Sequence, residues 1–290
     1  MSSPPSKYAL PLSALLSVVL PLAGSLVLYR WAGEGKWHHE PIHSTMETTG
    51  GLIALSMTGL LLLHRRFPGH EPHFEWVATS LACMGLLDVA HACIEVSGAF
   101  FWSRALPTLL GGLLFALVWA PSRWAGSDFV QRLPLLVSGL TLPVCLGLVL
   151  FPNAWPTTFS DQGSYTLAAK LLNVVGGVGF LVAGTRFLVC YRARGKVEDL
   201  VFANHCLLFG MAGVLFMLTH MWGSVWWFFH FLRLLAYGVV LRYVAVLYRR
   251  LQAAQEQALA QEVMEQSHLV QTRLRELEAQ LREARRESEP

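Results

Sequence analysis

The feature that most constrains this chain is a series of apolar segments, each long enough to cross a lipid bilayer. A transmembrane helix needs about 20 predominantly apolar residues. Short polar connections separate the successive apolar runs, and the sequence therefore predicts an all-α fold, a polytopic transmembrane helix bundle of about eight spans. The runs cover residues 8–29, 42–63, 75–97, 105–121, 133–151, 165–190, 200–222 and 225–248.

Composition supports a membrane protein over a soluble one. Charged residues make up 14% of the chain and hydrophobic residues 54%, whereas about a quarter of a soluble domain is charged. The first run, from Tyr8 to Leu28, is too long for the core of a signal peptide, so we interpret it as a retained span. The five cysteines all lie in apolar runs without a CxxC pair, which predicts packing residues and no disulfide framework.

The distribution of Lys and Arg among the connections predicts the orientation of the bundle. The second, fourth and sixth connections and the segment after the last span are basic, while the fifth and seventh connections contain no Lys or Arg. Because basic connections face the cytoplasm, we expect both termini there, in a bacterial inner (cytoplasmic) membrane. The residues concerned are Arg65, Arg66, Arg123, Arg132, Arg192, Arg194, Lys196, Arg249 and Arg250.

Beyond Tyr248 the composition changes to Ala, Gln, Glu, Arg and Leu, without Gly or Pro up to residue 288. A heptad pattern indicates a parallel two-stranded coiled coil that continues the eighth span without a break. Its d positions are Val263, Val270, Leu277 and Ala284, and its a positions are Ala260, Ser267, Leu274 and Leu281. The alternative for this segment is a solvated charged tail.

Ionisable residues inside the apolar runs mark the candidate functional site, because such groups are costly at membrane depth. Asp88, His91 and Glu95 have the spacing i, i+3, i+7 and share one helix face. With the predicted orientation, they and ionisable residues of three other spans lie within about 15 Å of the outer membrane surface. The seven residues of this predicted cluster are His43, Glu47, Asp88, His91, Glu95, His220 and His230.

Imidazole and carboxylate groups together are the ligands of transition metals. We therefore predict that the cluster binds one or two ions of zinc, iron, copper or manganese. Pairs at i, i+4, such as His43 with Glu47, let two side chains of one helix reach the same ion. Haem held by a His and a Met stays open as a further possibility.

Two other interpretations of the cluster stay open at this point. Lys170 and Arg233 lie at comparable depth and could neutralise the carboxylates, which would make the cluster a structural ion-pair network. Alternatively, Lys170, Asn173 and Arg233 could bind an organic or anionic cofactor.

The order of spans followed by a cytoplasmic helix resembles the MASE-type multi-span sensor modules of bacterial histidine kinases and diguanylate cyclases. The last residues, LEAQLREARRESEP, resemble the linker that precedes the dimerisation and phosphoacceptor domain of sensor kinases. The resemblance implies a transmembrane sensor domain over residues 1–248 and a cytoplasmic coiled-coil signalling helix over 249–290. It also implies a homodimer in contact with membrane lipid, a two-component pathway and a cytoplasmic output domain beyond residue 290. The phosphoacceptor motif is absent, because Ser267-His268-Leu269 departs from it, and we expect no nucleic-acid partner.

An enzymatic alternative is a metal-dependent hydrolase that acts on lipid within the membrane. Glu47, Asp88 or Glu95 would act as the general base beside the metal. This arrangement resembles the seven-span hydrolases of the ceramidase and adiponectin-receptor group. The HxxxH pair of that group is absent, because His220 and His230 are ten residues apart.

Overall fold

A computed structural model describes residues 8–32, 35–65, 71–157 and 164–288. All regular structure within these ranges is helical, and one isolated antiparallel bridge joins Lys36 to Gly223. The predicted all-α class is therefore confirmed. Arg66 lies outside the described residues, as do the side chains of Arg250, Leu281 and Ala284.

Eight long helices, α1 to α8, form most of the described part of the chain. Seven of them are long and apolar enough to cross a membrane, and α3 is the exception. α3 falls short because its 19 residues include Glu75, Asp88 and His91. The helices are α1 (Ala9–Trp31), α2 (Glu40–His64), α3 (Phe74–Ala92), α4 (Gly98–Trp119), α5 (Asp128–Leu150), α6 (Leu167–Arg194), α7 (Val197–Leu218) and α8 (Ser224–Ser288).

α3 is the central helix of the bundle. It packs against α2, α4 and α5, and nearly all of its residues are buried. A helix enclosed by other helices does not contact lipid, so it can carry ionisable side chains that a lipid-facing helix could not. The burial of α3 explains why the most polar of the predicted spans still belongs to the bundle.

α4 and α6 pack with their backbones in contact. A Cβ atom added to Gly112 would lie 1.9 Å from the carbonyl oxygen of Gly176, and one added to Gly176 would lie 2.1 Å from that of Thr108. Small residues allow this close approach of transmembrane helices. The contact therefore fixes the relative height of α4 and α6.

The chain divides into two compact units, Met1–Val244 and Ala245–Pro290. Within the second unit, every described side chain from Leu251 to Glu278 is exposed. Among these exposed residues are the predicted coiled-coil positions Val263, Val270 and Leu274. The proposed functional boundary between residues 248 and 249 stays a prediction.

Candidate metal centre

Three buried residues from two helices could hold a metal ion, and we call them the candidate metal site: His43, Glu47 and His91. One ligand atom of each lies within 4.8 Å of those of the other two. His43 and Glu47 stand one turn apart near the start of α2, and His91 lies in the last turn of α3. The site therefore forms where α2 begins and α3 ends.

Local sequence signals position these ligands. His39 caps α2, because its Nδ1 accepts a hydrogen bond of 3.2 Å from the backbone N–H of Ile42. Pro41 in the first turn favours a helix start, since proline lacks the N–H that would be unpaired there. The helix therefore starts just before His43 and Glu47, which lie in its first two turns and are buried.

The hydrogen bonds of His91 orient its ring and select its tautomer. Ser103 Oγ donates to the carbonyl oxygen of Phe100 at 3.0 Å, so its single hydrogen is used. The same Oγ lies 2.8 Å from His91 Nδ1. With the hydroxyl hydrogen directed to Phe100, the ring N–H at Nδ1 donates to Oγ. In the neutral imidazole, Nε2 then carries a lone pair, and Nε2 is buried without a hydrogen-bond partner in the described structure. This arrangement is the one that oriented metal-binding histidines show.

His230 of α8 has the same tautomer. Its Nδ1 donates to the carbonyl oxygen of Trp226 at 2.7 Å, which leaves a lone pair on Nε2 of the neutral ring. Nε2 lies 3.3 Å from Glu47 Oε1, but without the geometry of a hydrogen bond. His230 is therefore placed to act either as a fourth ligand or as a neighbour that orients Glu47.

The ring of His43 packs against both of the other imidazoles. Its centroid is 5.1 Å from that of His91 and 4.8 Å from that of His230. Its Nε2 is also buried without a hydrogen-bond partner among the described residues. Metal–ligand bonds of about 2.0–2.2 Å place ligand atoms roughly 3.4 Å apart, so small side-chain rotations would bring His43, Glu47 and His91 around one ion.

A second feature, the ion-pair network, is formed by Glu47, Asp88, Arg233 and Tyr237. Arg233 Nη1 donates to both oxygens of Glu47 at 2.7 and 2.8 Å, and Nη2 donates to Asp88 Oδ1 at 2.6 Å. Tyr237 Oη donates to Asp88 Oδ2 at 2.6 Å. The network joins α2, α3 and α8, and Glu47 belongs to both the network and the candidate metal site.

Arg104 is a buried residue that the sequence analysis missed. It is 2% exposed, and its Cζ lies 4.4 Å from the centre of the Phe229 ring. None of its three guanidinium nitrogens has a hydrogen-bond partner within the described ranges. The prediction assigned Arg104 to a connection, whereas α4 begins at Gly98. Ser97, whose Oγ accepts from the N–H of Phe100 at 3.4 Å, is the N-cap signal that would have found this helix start.

The remaining residues of the predicted sites lie elsewhere. Glu95 follows the end of α3 and is exposed, and His220 is exposed in the connection between α7 and α8. Lys170 is half-buried in the first turn of α6. Asn173 is buried; its Nδ2 donates to the carbonyl oxygen of Ala169 at 2.9 Å, and its Oδ1 has no partner among the described residues.

Comparison with known proteins identified no relative of this chain. No protein-family model, curated protein or solved structure matches the chain. The chain is a multi-span helical membrane protein with a buried His/Glu/His site that could hold a metal ion. Any more specific function has to be argued from the geometry of that site.

Proposed function

We propose that this chain is the membrane sensory input of a signalling receptor, and that its candidate metal site binds a transition metal ion. The observation that carries the proposal is the double role of Glu47. Glu47 is grouped with His43 and His91 as a candidate metal ligand, and it also accepts two hydrogen bonds from Arg233 of α8. Metal binding and the position of α8 therefore depend on the same carboxylate.

Metal binding is favoured over a purely structural role by the unpaired imidazole nitrogens. A structural network satisfies its buried polar atoms, yet Nε2 of His43, His91 and His230 has no hydrogen-bond partner in the described structure. Two of these rings are held by hydrogen bonds through Nδ1. Two histidines and a glutamate form a ligand set found for zinc, and the same donors suit iron, copper and manganese.

The coupling between the site and α8 follows from electrostatics. A divalent cation beside Glu47 competes with Arg233 for the carboxylate and repels the guanidinium, because opposite and like charges interact strongly where water is excluded. Arg233 keeps its second partner, Asp88. The cation thus favours a state in which Arg233 is released from Glu47, and a ligand shifts an equilibrium only through such a difference in affinity.

α8 is the element that would transmit this change. It carries His230, Arg233 and Tyr237 next to the site and continues as one helix to Ser288. We propose that its exposed positions Val263 and Val270 pair with those of a second copy in a coiled coil. A linked cytoplasmic output domain, as the MASE-type resemblance implies, would read the state of that dimer from a bacterial inner membrane with both termini inside.

Elemental analysis of purified protein tests the metal-binding half of the proposal. We expect ICP-MS to find about one transition metal ion per chain in the wild type and a loss of metal in His91→Ala. The matched control is His220→Ala, because His220 is an exposed histidine at the same end of the bundle. A wild type without metal, or His91→Ala with full metal, would exclude the proposed site and leave the structural network.

Disulfide cross-linking tests the signalling half. Val270→Cys in a variant without the native cysteines should cross-link two copies in membranes, and the yield should change when metal is removed with a chelator. The same measurement in a His91→Ala background should show no response to the chelator. A yield that is the same with and without metal would refute the coupling. The lipid-hydrolase alternative stays a prediction that no observation on the site favours over the receptor.

A further inference from the structure

A groove on the protein surface leads to the candidate metal site. It has a volume of about 120 Å³ and lies where the first turn of α2 meets the connection between α3 and α4. Its lining includes Glu40, His43, Ser44, Glu95 and Phe100. The groove therefore contains one buried ligand of the site, His43, together with two exposed carboxylates.

Phe100, which lines the groove, contacts two residues of the candidate metal site. The ring of Phe100 lies 5.6 Å from that of His43 and 4.5 Å from that of His91. Trp226 and Trp222 pack against His43, with ring centroids at 5.0 and 5.8 Å. Aromatic rings thus pack around His43, whereas the groove connects it to the surface.

The rim of the groove is acidic. Glu40 and Glu95 are both exposed, and Glu40 Oε1 accepts from His38 Nε2 at 3.1 Å. The carboxylate of Glu95 has no ion pair in the part of the chain that the structure describes. Carboxylates at the mouth of a cleft concentrate cations there and raise the rate at which they associate.

We propose that this groove is the access path of the metal ion, with Glu40 and Glu95 as the first, exchangeable contact of a divalent cation before it reaches His43. This inference rests on the proposed function. It assigns Glu95 a role in loading the site instead of in the final coordination. It also implies that the site equilibrates with cations from the end of the bundle at which the groove opens.

Stopped-flow kinetics with Co²⁺ test the path. The metal-free protein in detergent is mixed with Co²⁺ at low ionic strength, and association is followed by quenching of tryptophan fluorescence, since Trp222 and Trp226 lie at the site. We expect the double variant Glu40→Gln/Glu95→Gln to load at least about threefold more slowly than the wild type. High salt should abolish the difference, because it screens exposed charges.

Two further variants make the test specific. Ser44→Phe fills the groove without removing a ligand, and it should slow both loading and release while the bound stoichiometry stays unchanged. Asp128→Asn is the charge control, because Asp128 is an exposed carboxylate at the start of α5 and does not line the groove; it should load at the wild-type rate.

The outcomes separate this inference from the proposed function. Slow loading in the groove variants with normal final occupancy supports the access path. Wild-type loading rates in both groove variants overturn the access path and leave the metal site intact. A wild type that takes up no Co²⁺ overturns the metal site and the access path together.

Discussion

Replacing Arg233 with Met removes the guanidinium that binds both carboxylates of the ion-pair network. Arg233 makes three hydrogen bonds of 2.6–2.8 Å to Glu47 and Asp88. All three residues are at most 4% exposed, so water cannot replace the lost contacts. Breaking a buried ion pair by removing one partner costs about 3–5 kcal/mol, because a buried charge is left without compensation. We therefore expect the free energy of unfolding of the metal-free variant to fall by that amount.

The assay is an SDS titration of the purified protein in mixed micelles, with EDTA present and tryptophan fluorescence as the signal. Arg242→Met is the matched control, because Arg242 lies on the same helix and is exposed; it should change stability by less than about 0.5 kcal/mol. In the double variant Glu47→Gln/Arg233→Met, a neutral amide replaces one of the two unpaired carboxylates. The loss of unfolding free energy should therefore be smaller than the sum of the losses in the two single variants.

The same variant tests the competition between Arg233 and the metal. Without the guanidinium, Glu47 is free to bind the cation, and the affinity for Zn²⁺ should rise at least about tenfold, which corresponds to about 1.4 kcal/mol. Saturating Zn²⁺ should then stabilise Arg233→Met more than it stabilises the wild type. If Arg233→Met lost less than about 1 kcal/mol of unfolding free energy in EDTA, or bound Zn²⁺ with unchanged affinity, the proposed role of this network would be refuted.

Two further predictions concern packing and pH. Gly112→Ala should destabilise the bundle by about 1–3 kcal/mol, because its Cβ would lie 1.9 Å from the carbonyl oxygen of Gly176. Gly139→Ala is the control, because a Cβ added there meets no neighbouring side chain or helix within 4 Å. It should lose no stability in the same SDS titration. Burial alone would raise the pKa of Glu71, but the hydrogen bonds and positive charges of Lys196 and Arg194 together outweigh burial and hold the pKa below 4.5. The stability from these contacts is therefore present above that pH and lost as the pH falls through the pKa of the folded state. Thermal unfolding between about pH 6 and about pH 3 should accordingly show a smaller loss in Glu71→Gln than in the wild type, and equal losses would contradict the assignment.

Much of the fold could be predicted from the sequence because a transmembrane helix is a local structure. The length and apolarity of each run decide whether it can cross a bilayer, and all eight predicted runs correspond to long helices. Element boundaries were less accurate. The third run was predicted to extend to residue 97, but α3 ends at Ala92, and hydropathy cannot detect that the apolar residues after it belong to a connection.

The sequence by itself determined that ionisable side chains gather at one end of a helical bundle, since spacing and depth follow from the rise of a helix. Only the tertiary structure decided which of them meet. It brings His43, Glu47 and His91 together, places Arg233 between two carboxylates and leaves Glu95 at the surface. Those outcomes depend on how α2, α3 and α8 are rotated and packed against one another, which is a property of packing between distant segments. Arg104 illustrates the same limit. The Ser97 cap could have placed it on a helix, but its burial depends on the residues that pack against α4, such as Phe229.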